Sequence, residues 1–154
     1  MTLTDSAQPK TLRTYMSTAW SGDSRYDGLD AVVAAIAEGA QQIQQKVQAA
    51  TLAGVVGTTG ETNVQGEIVQ RLDVAGSDIF VEVLSKSGWV AAVVSEEVEN
   101  PVVAASSGDR AFIAYIDPVD GSSNLDIGVT VGSIFGIWRK HPGGPIAETL
   151  LRPG

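Results

Sequence analysis

Residues 111–124, AFIAYIDPVDGSSN, place a short apolar run directly before two closely spaced aspartates, a glycine and two serines. The apolar and β-branched residues of 111–116 predict a buried strand. Asp117 and Asp120 then fall where this strand is expected to break into a loop, and functional groups of α/β proteins gather at such strand ends. The stretch therefore predicts a site that holds a divalent metal ion against a phosphate group.

The sequence before this strand predicts mainly helices. Apolar residues at spacings of three and four predict a short amphipathic helix over 12–20, a long helix over 29–50 and a third over 65–85. A Gly- and Thr-rich segment, 54–66, is expected to be irregular between the last two. Residues 1–10 are polar and are predicted to be a flexible lead, so that residues 11–154 form a single domain.

The strands are predicted in the second half of the chain. One strand is expected over 89–94, before the acidic pair Glu96-Glu97, and one or two more within 127–138. A polar loop at 100–109 is too short for a helical crossover, which favours an antiparallel arrangement of the strands that it joins. The tail, 142–154, is turn-rich, and no terminal element is expected there. The fold class is thus layered α/β (α+β) with a mixed or antiparallel sheet.

Composition narrows the range of ligands. The chain has no cysteine, which excludes disulfides and zinc–thiolate sites and leaves oxygen ligands for any metal. A net charge of -8 argues against binding to nucleic acid or to an anionic membrane. A phosphate ester is compatible with this charge only if bound cations reverse the local sign. Without a signal-like N-terminus or a long apolar run, a cytoplasmic location is predicted.

The acidic residues have the chemistry of a magnesium site. Glu96 and Glu97 follow one strand, Asp117 and Asp120 follow another, and magnesium prefers oxygen ligands together with waters and phosphate oxygens. After them, the backbone and hydroxyls of Gly121, Ser122 and Ser123 are suited to phosphate oxygens. An ordinary solvated Asp-rich turn is the simplest alternative. A calcium loop is disfavoured because its Asp-x-Asp-x-Asp-Gly spacing is missing.

Two further acids lie on the predicted third helix. Glu67 and Asp73 are six residues apart, which places them about 120° apart around a regular helix. They are therefore not expected to share one ligand position. We expect Glu67 to reach an outer metal ion and Asp73 to assist the attacking water or to orient Glu97.

Five segments follow one another along the chain with a characteristic order and spacing: GETNVQGE (60–67), LDV (72–74), VSEE (94–97), DPVDGSSN (117–124) and VGSIFGI (131–137). In these segments the chain resembles class I fructose-1,6-bisphosphatase. The Asp-Pro-x-Asp-Gly part alone is typical of the wider lithium-sensitive, magnesium-dependent phosphatases. The continuation Ser-Ser-Asn and the Ile-Phe-Gly-Ile stretch resemble the fructose bisphosphatases in particular.

The resemblance implies a role for each matching residue. It implies that Glu96, Asp117, Asp120 and the Val119 carbonyl bind magnesium, with Glu67 at a further metal position where the family usually has Asp. Glu97 and Asp73 would activate the water, and the 1-phosphate would be bound by Asp120, Gly121, Ser122 and Ser123.

The resemblance also implies the reaction and its setting. It implies hydrolysis of fructose 1,6-bisphosphate to fructose 6-phosphate and phosphate with two or three Mg²⁺ ions, or Mn²⁺ in their place. This reaction belongs to carbohydrate metabolism, in gluconeogenesis or the Calvin cycle. The family's fold is the sugar-phosphatase fold, expected here to be incomplete, and the family assembles as homotetramers. The alternatives are sedoheptulose bisphosphatase or inositol phosphatase activity, or a truncated chain without catalysis, because the family's sugar-binding residues lie in a further part of its chain.

Overall fold

A computed structural model describes residues 11–52, 62–105, 110–122, 124, 130–141 and 143–150. Its helices pack on one face of a four-stranded sheet. The helices are α1 (Leu12–Ala19), α2 (Leu29–Leu52), α3 (Thr62–Lys86) and α4 (Ile146–Leu150), with a 3₁₀ turn at Ser24–Tyr26. The strands are β1 (Val90–Ser95), β2 (Val102–Val103), β3 (Phe112–Asp120) and β4 (Gly132–Arg139). None of the helices in the described part of the chain is long and apolar enough to cross a membrane.

The three predicted helices are confirmed, with differences at their ends. The first begins after Thr11, whose side chain accepts a hydrogen bond from the backbone N–H of Thr14 as an N-cap. The third begins at Thr62, so the prediction of irregular structure is wrong for residues 62–66, while residues 53–61 lie outside the described part. The tail prediction is also wrong, because α4 forms after the turn at Gly143. The predicted lead, residues 1–10, lies outside the described residues.

The sheet is mixed, with the strand order β2-β1-β3-β4. β1 pairs with β3 in parallel, so the predicted antiparallel arrangement of these two strands is wrong. The reason is β2, which pairs antiparallel with β1 inside the segment predicted to be only a loop. Because β2 already carries the chain back past β1, the short connection that follows needs no helix to reach the start of β3.

The core lies between the sheet and the long helices. Phe80 of α3 is fully buried, and its ring meets Phe135 of β4 edge to face at a centroid distance of 4.8 Å. On α2, Gly39 lies so close that a Cβ atom built there would be 2.6 Å from the Phe80 ring. The absence of a side chain at Gly39 therefore lets α2 and α3 approach each other closely, while the opposite face of the sheet leaves Ile134 and Trp138 exposed.

Candidate active site

The parallel pairing brings the acidic ends of two strands together. Ser95 at the end of β1 pairs with Ile116, and the Glu96 N–H donates to the Ile116 carbonyl at 3.0 Å. Glu96 and Glu97 therefore leave β1 beside Asp117 of β3. The structure corrects one expectation, because Asp117 and Asp120 lie within β3 and not in a loop after it.

A bulge separates the two aspartates of β3. Asp117 pairs with Ile134 of β4 and Asp120 pairs with Gly132, so two residues of β3, Pro118 and Val119, lie opposite a single residue of β4. A proline within a strand removes one ladder hydrogen bond, and bulges are among the few places in a sheet that tolerate it. The bulge thus sets the positions of the Asp117 and Asp120 carboxylates relative to each other.

Asp73 reaches this site from α3. Its carboxyl atom Oδ1 is buried and has no hydrogen-bond partner within the described part of the chain. One turn later on the same helix, the buried Ser77 hydroxyl donates to the Ser95 hydroxyl at 2.8 Å. The Ser95 oxygen also accepts the Glu97 N–H at 3.3 Å. The two serines therefore tie α3 to the end of β1, where the glutamates begin.

The acidic cluster, which consists of Asp73, Glu96, Glu97, Asp117 and Asp120, raises the pKa of its own members. For Glu96, the charge of Asp117 and then a hydrogen bond with that carboxyl raise the pKa. For Glu97, burial and then the charge of Asp73 raise the pKa. For Asp73, burial raises the pKa most, and the charge of Asp117 adds to this, while a hydrogen bond with Ser122 lowers it. The carboxyl groups at the shared end of β1 and β3 thus raise one another's pKa.

The acidic cluster suits a hard divalent cation by its chemistry. Its donors are all carboxylate oxygens, and among the described residues the buried Oδ1 of Asp73 has no hydrogen-bond partner, which a cation or a water held by a cation would supply. Within the described residues, no three acidic side chains are grouped closely enough to hold one ion. The fit to a cation therefore rests on the type of donor and not on a formed coordination sphere.

A tight turn follows the cluster. Gly121 has a φ of +77°, and the Asn124 N–H donates to the Gly121 carbonyl at 2.7 Å. A side chain at Gly121 would meet the Asn124 amide at 3.0 Å, so the turn requires glycine for its backbone angle and also has little space. The turn places Ser122 against Asp73, to which it is hydrogen bonded.

The chain is similar to known fructose-1,6-bisphosphatases. Residues 13–154 match the family model described as the N-terminal domain of fructose-1-6-bisphosphatase. The chain belongs to this family. The cytosolic fructose-1,6-bisphosphatase of Brassica napus is 43% identical over 95 residues, which cover 61% of this chain and 28% of that relative. The class 1 fructose-1,6-bisphosphatase of Sorangium cellulosum is 42% identical over 96 residues, with the same coverage of 61% and 28%.

Solved structures give the same assignment. The holo form of Leishmania major fructose-1,6-bisphosphatase matches with a TM-score of 0.69 and 30% identity, covering 86% of this chain and 38% of that one. Its T-state structure matches with a TM-score of 0.70 and 30% identity, covering 90% and 40%. The fructose-1,6-bisphosphatase domain described here thus spans well under half of these relatives.

The structure brings together most of the predicted site residues of this fructose-1,6-bisphosphatase domain. The acidic cluster, Gly121 and Ser122 lie at the carboxyl ends of the two central strands, β1 and β3. Glu67 lies in the first part of α3, whose side chains up to residue 71 are outside the description, and Ser123 is also outside it. Val119 lies at the bulge, with its side chain towards Gly76 of α3. The roles of these residues stay predictions.

Sequence reasoning missed the polar residues that support the site. Ser77, Ser95 and Ser133 make side-chain hydrogen bonds beside the acidic cluster, but serine is too common to be noticed alone. Pro118 is the sequence signal that could have indicated Ser133. A proline inside a strand is typical of a bulge, and the backbone groups that the bulge leaves unpaired need hydrogen-bond partners from elsewhere.

The metal-free fructose-1,6-bisphosphatase domain is expected to lose stability as pH rises above about 5.5. The raised pKa values of Asp73, Glu96 and Glu97 mean that the folded state binds more protons than the unfolded state in this window. The free energy of unfolding therefore falls as pH increases. Urea titrations in EDTA at about pH 5.5 and at about pH 6.5 measure this slope.

Asp23 and Glu82 change stability in the opposite direction, at lower pH. The pKa of Asp23 is lowered to about 2 by hydrogen bonds from Arg25, and the pKa of Glu82 is lowered by Lys86. Their contributions stabilise the fold as pH rises and are nearly complete by about pH 5.5, one unit above the ordinary glutamate pKa of 4.5, so the loss of stability caused by the acidic cluster is measured above that pH. A metal-free protein that becomes more stable from about pH 5.5 to about pH 6.5 would contradict the expected repulsion.

Proposed function

We propose that this chain carries the magnesium and 1-phosphate site of a phosphatase that converts fructose 1,6-bisphosphate to fructose 6-phosphate and phosphate. The observation that carries the proposal is the acidic cluster at the shared end of β1 and β3, directly before the glycine turn at Gly121. Membership of the fructose-1,6-bisphosphatase family supports the choice of substrate.

The proposed roles follow the family resemblance. Glu96, Asp117, Asp120 and the Val119 carbonyl would hold two or three magnesium or manganese ions, with Glu67 at an outer position. Bound magnesium would supply Lewis-acid polarisation of the phosphoryl oxygen and would lower the pKa of the attacking water. Gly121, Ser122 and Ser123, with Asp120, would hold the phosphate in line with that water.

Proton transfer is assigned to Glu97, which follows β1, and to Asp73 of α3. Glu97 would accept the proton of the attacking water, and Asp73 would orient Glu97 and share its charge. The pKa of Glu97 is raised by burial and by the charge of Asp73, which strengthens it as a base compared with an ordinary carboxylate. The water oxygen would bond to phosphorus as the bond between phosphorus and the sugar oxygen breaks. The sugar oxygen would take up a proton from solvent as it leaves, and Glu97 would return its proton to solvent, which releases fructose 6-phosphate and phosphate.

A second candidate is that the chain binds metal but does not turn over substrate by itself. The exposed apolar side chains on the outer sheet face favour it, because Ile134 is 57% exposed and Trp138 is 46% exposed. A face of this kind in a layered fold is normally covered by further protein. The chain also spans 28% of the Brassica napus relative and 38% of the Leishmania major structure.

We propose a cytosolic location and assembly into homotetramers. The location is supported by the names of the Brassica napus and Arabidopsis thaliana relatives, which are cytosolic fructose-1,6-bisphosphatases. The assembly follows from the family resemblance.

Phosphate release tests the proposed activity. The 154-residue chain and the same chain joined to the remaining part of the Brassica napus relative are assayed with Mg²⁺ and fructose 1,6-bisphosphate. We expect turnover by the joined protein, and turnover by the short chain would exclude the non-catalytic candidate. Sedoheptulose 1,7-bisphosphate and inositol 1-phosphate serve as the competing substrates. A joined protein that folds and binds Mn²⁺ but releases no phosphate from fructose 1,6-bisphosphate would refute the proposal.

A further inference from the structure

The bulge in β3 depends on a hydrogen bond from the neighbouring strand. Pro118 is fully buried and has no N–H of its own to donate to β4. Its carbonyl accepts a hydrogen bond of 2.6 Å from the Ser133 hydroxyl of β4. Ser133 is also the single β4 residue that lies opposite the two bulged residues. Its side chain thus supplies a hydrogen bond where the regular ladder is interrupted.

The bulge is confined from the other side by α3. A Cβ atom built on Gly76 would be 3.1 Å from the Pro118 Cβ and 3.2 Å from Val119 Cγ2. Little room therefore remains for the bulge to move towards the helix. The hydrogen bond from the Ser133 hydroxyl restrains the bulge in the plane of the sheet. A hydrogen bond is directional, whereas the packing of α3 against the bulge is not.

The position of this hydrogen bond connects it to the acidic cluster. Asp117 and Asp120 lie immediately before and after the bulged pair, so the conformation of Pro118 and Val119 sets the distance and angle between the two carboxylates. If the Pro118 carbonyl lost its partner, a buried acceptor would be left unsatisfied, and the segment would relax towards another partner. A shift of this kind moves the aspartates relative to each other.

We propose that Ser133 is a positioning residue, whose hydroxyl fixes the bulge so that Asp117 and Asp120 face one cation. The inference rests on the proposed function of the acidic cluster as a metal site. It assigns Ser133 no contact with the metal or substrate. Groups that orient metal ligands in this way typically change metal affinity by about 10- to 100-fold when removed.

The test compares Ser133→Ala with Ser133→Thr and Ser87→Ala. Threonine keeps the hydroxyl and suits a strand. Ser87→Ala is the matched control, because the Ser87 hydroxyl also donates to a backbone carbonyl, that of Leu84, at 2.6 Å in a partly buried position. Ser87 follows α3 before β1 begins, at the end of β1 opposite to the acidic cluster. Both alanine variants therefore lose a bond from a hydroxyl to a backbone carbonyl, and Ser87→Ala also loses the bond of 3.2 Å that its hydroxyl accepts from the Trp89 N–H.

Two readouts are used, Mn²⁺ affinity by calorimetry and amide hydrogen exchange. We expect Ser133→Ala to bind Mn²⁺ about 10-fold more weakly, while Ser133→Thr and Ser87→Ala stay within about twofold of the unmodified protein. The amides of Val119 and Asp120 should exchange faster in Ser133→Ala only.

Each outcome decides the inference. Equal Mn²⁺ affinity in Ser133→Ala and the unmodified protein would overturn it, as would an equal loss in Ser87→Ala. If the unmodified protein binds no Mn²⁺, the proposed function fails, and unchanged exchange at Val119 and Asp120 would then also overturn the role of Ser133 in holding the bulge. Faster exchange confined to these amides would support that role.

Discussion

Phe80→Ala is expected to lower the free energy of unfolding by about 3–5 kcal/mol, which is the usual cost of removing a buried aromatic side chain. Phe80 is fully buried, contacts Phe135 edge to face and lies against Gly39 of α2. Its ring thus joins two helices and the sheet. Small domains have a free energy of unfolding of about 5–15 kcal/mol, so this loss is a large part of the total.

Urea unfolding followed by circular dichroism measures this effect. Tyr15→Ala is the matched control, because Tyr15 is an aromatic residue that is 58% exposed, and its removal should change the free energy of unfolding by less than about 0.5 kcal/mol. A Phe80→Ala protein as stable as the Tyr15→Ala protein would contradict the described packing of α3.

Gly39→Ala tests the same contact from the side of α2. Its new methyl group would overlap the Phe80 ring at 2.6 Å, and overpacking of this kind costs about 1–3 kcal/mol. In the Phe80→Ala background the overlap with the ring is absent, and the Val83 Cγ2 atom, 3.2 Å from the new methyl group, can move into the space that the ring leaves. Alanine should then stabilise the helix by up to about 1 kcal/mol relative to glycine. The effect of Gly39→Ala should therefore change sign between the two backgrounds. Additive effects would show that these residues do not meet.

Asp117→Asn is expected to reduce Mg²⁺-dependent phosphate release of the joined protein by about 1,000-fold, equivalent to about 4 kcal/mol of transition-state stabilisation. Asp117 lies within β3, beside the residues that follow β1, and its charge raises the pKa values of Glu96, Glu97 and Asp73. Its amide would contribute a weaker oxygen ligand without charge.

The same substitution should not destabilise the metal-free chain. Neutralising Asp117 removes repulsion from three neighbouring carboxyls, so the pKa of Glu96 should move back towards its ordinary value. Asp78→Asn is the matched control, because Asp78 lies exposed on α3. It should change neither Mn²⁺ affinity nor phosphate release. Activity retained in Asp117→Asn, or lost equally in Asp78→Asn, would refute the assignment of Asp117 to the metal site.

The pattern of apolar residues was enough to predict the long elements and the place of the site. Helical spacing located α1, α2 and α3, and the apolar run before Asp117 located β3. The paired acids indicated the chemistry, because carboxylates that end two strands meet when those strands are neighbours. The family resemblance then supplied the proposed reaction, which residue spacing does not specify.

Other features depend on contacts that the sequence does not display. The two-residue strand β2 is too short to give a periodic signal, and its presence reversed the predicted direction of β3 relative to β1. The extension of β3 through Pro118 was missed because proline normally ends a strand, whereas here Ser133 satisfies the Pro118 carbonyl. The partnership of Ser77 with Ser95 depends on how α3 packs against β1.

The parallel pairing of β1 and β3 also constrains when the site comes into existence. Val93 pairs with Ala114 across the chain that contains β2, so we expect this non-local pairing to form more slowly than the local contacts of the helices. Before the two strands pair, Glu96 and Asp117 are not held together. We therefore expect the repulsion within the acidic cluster to arise late in folding, after the helices have formed. Occupancy of the site would then report that the sheet is complete.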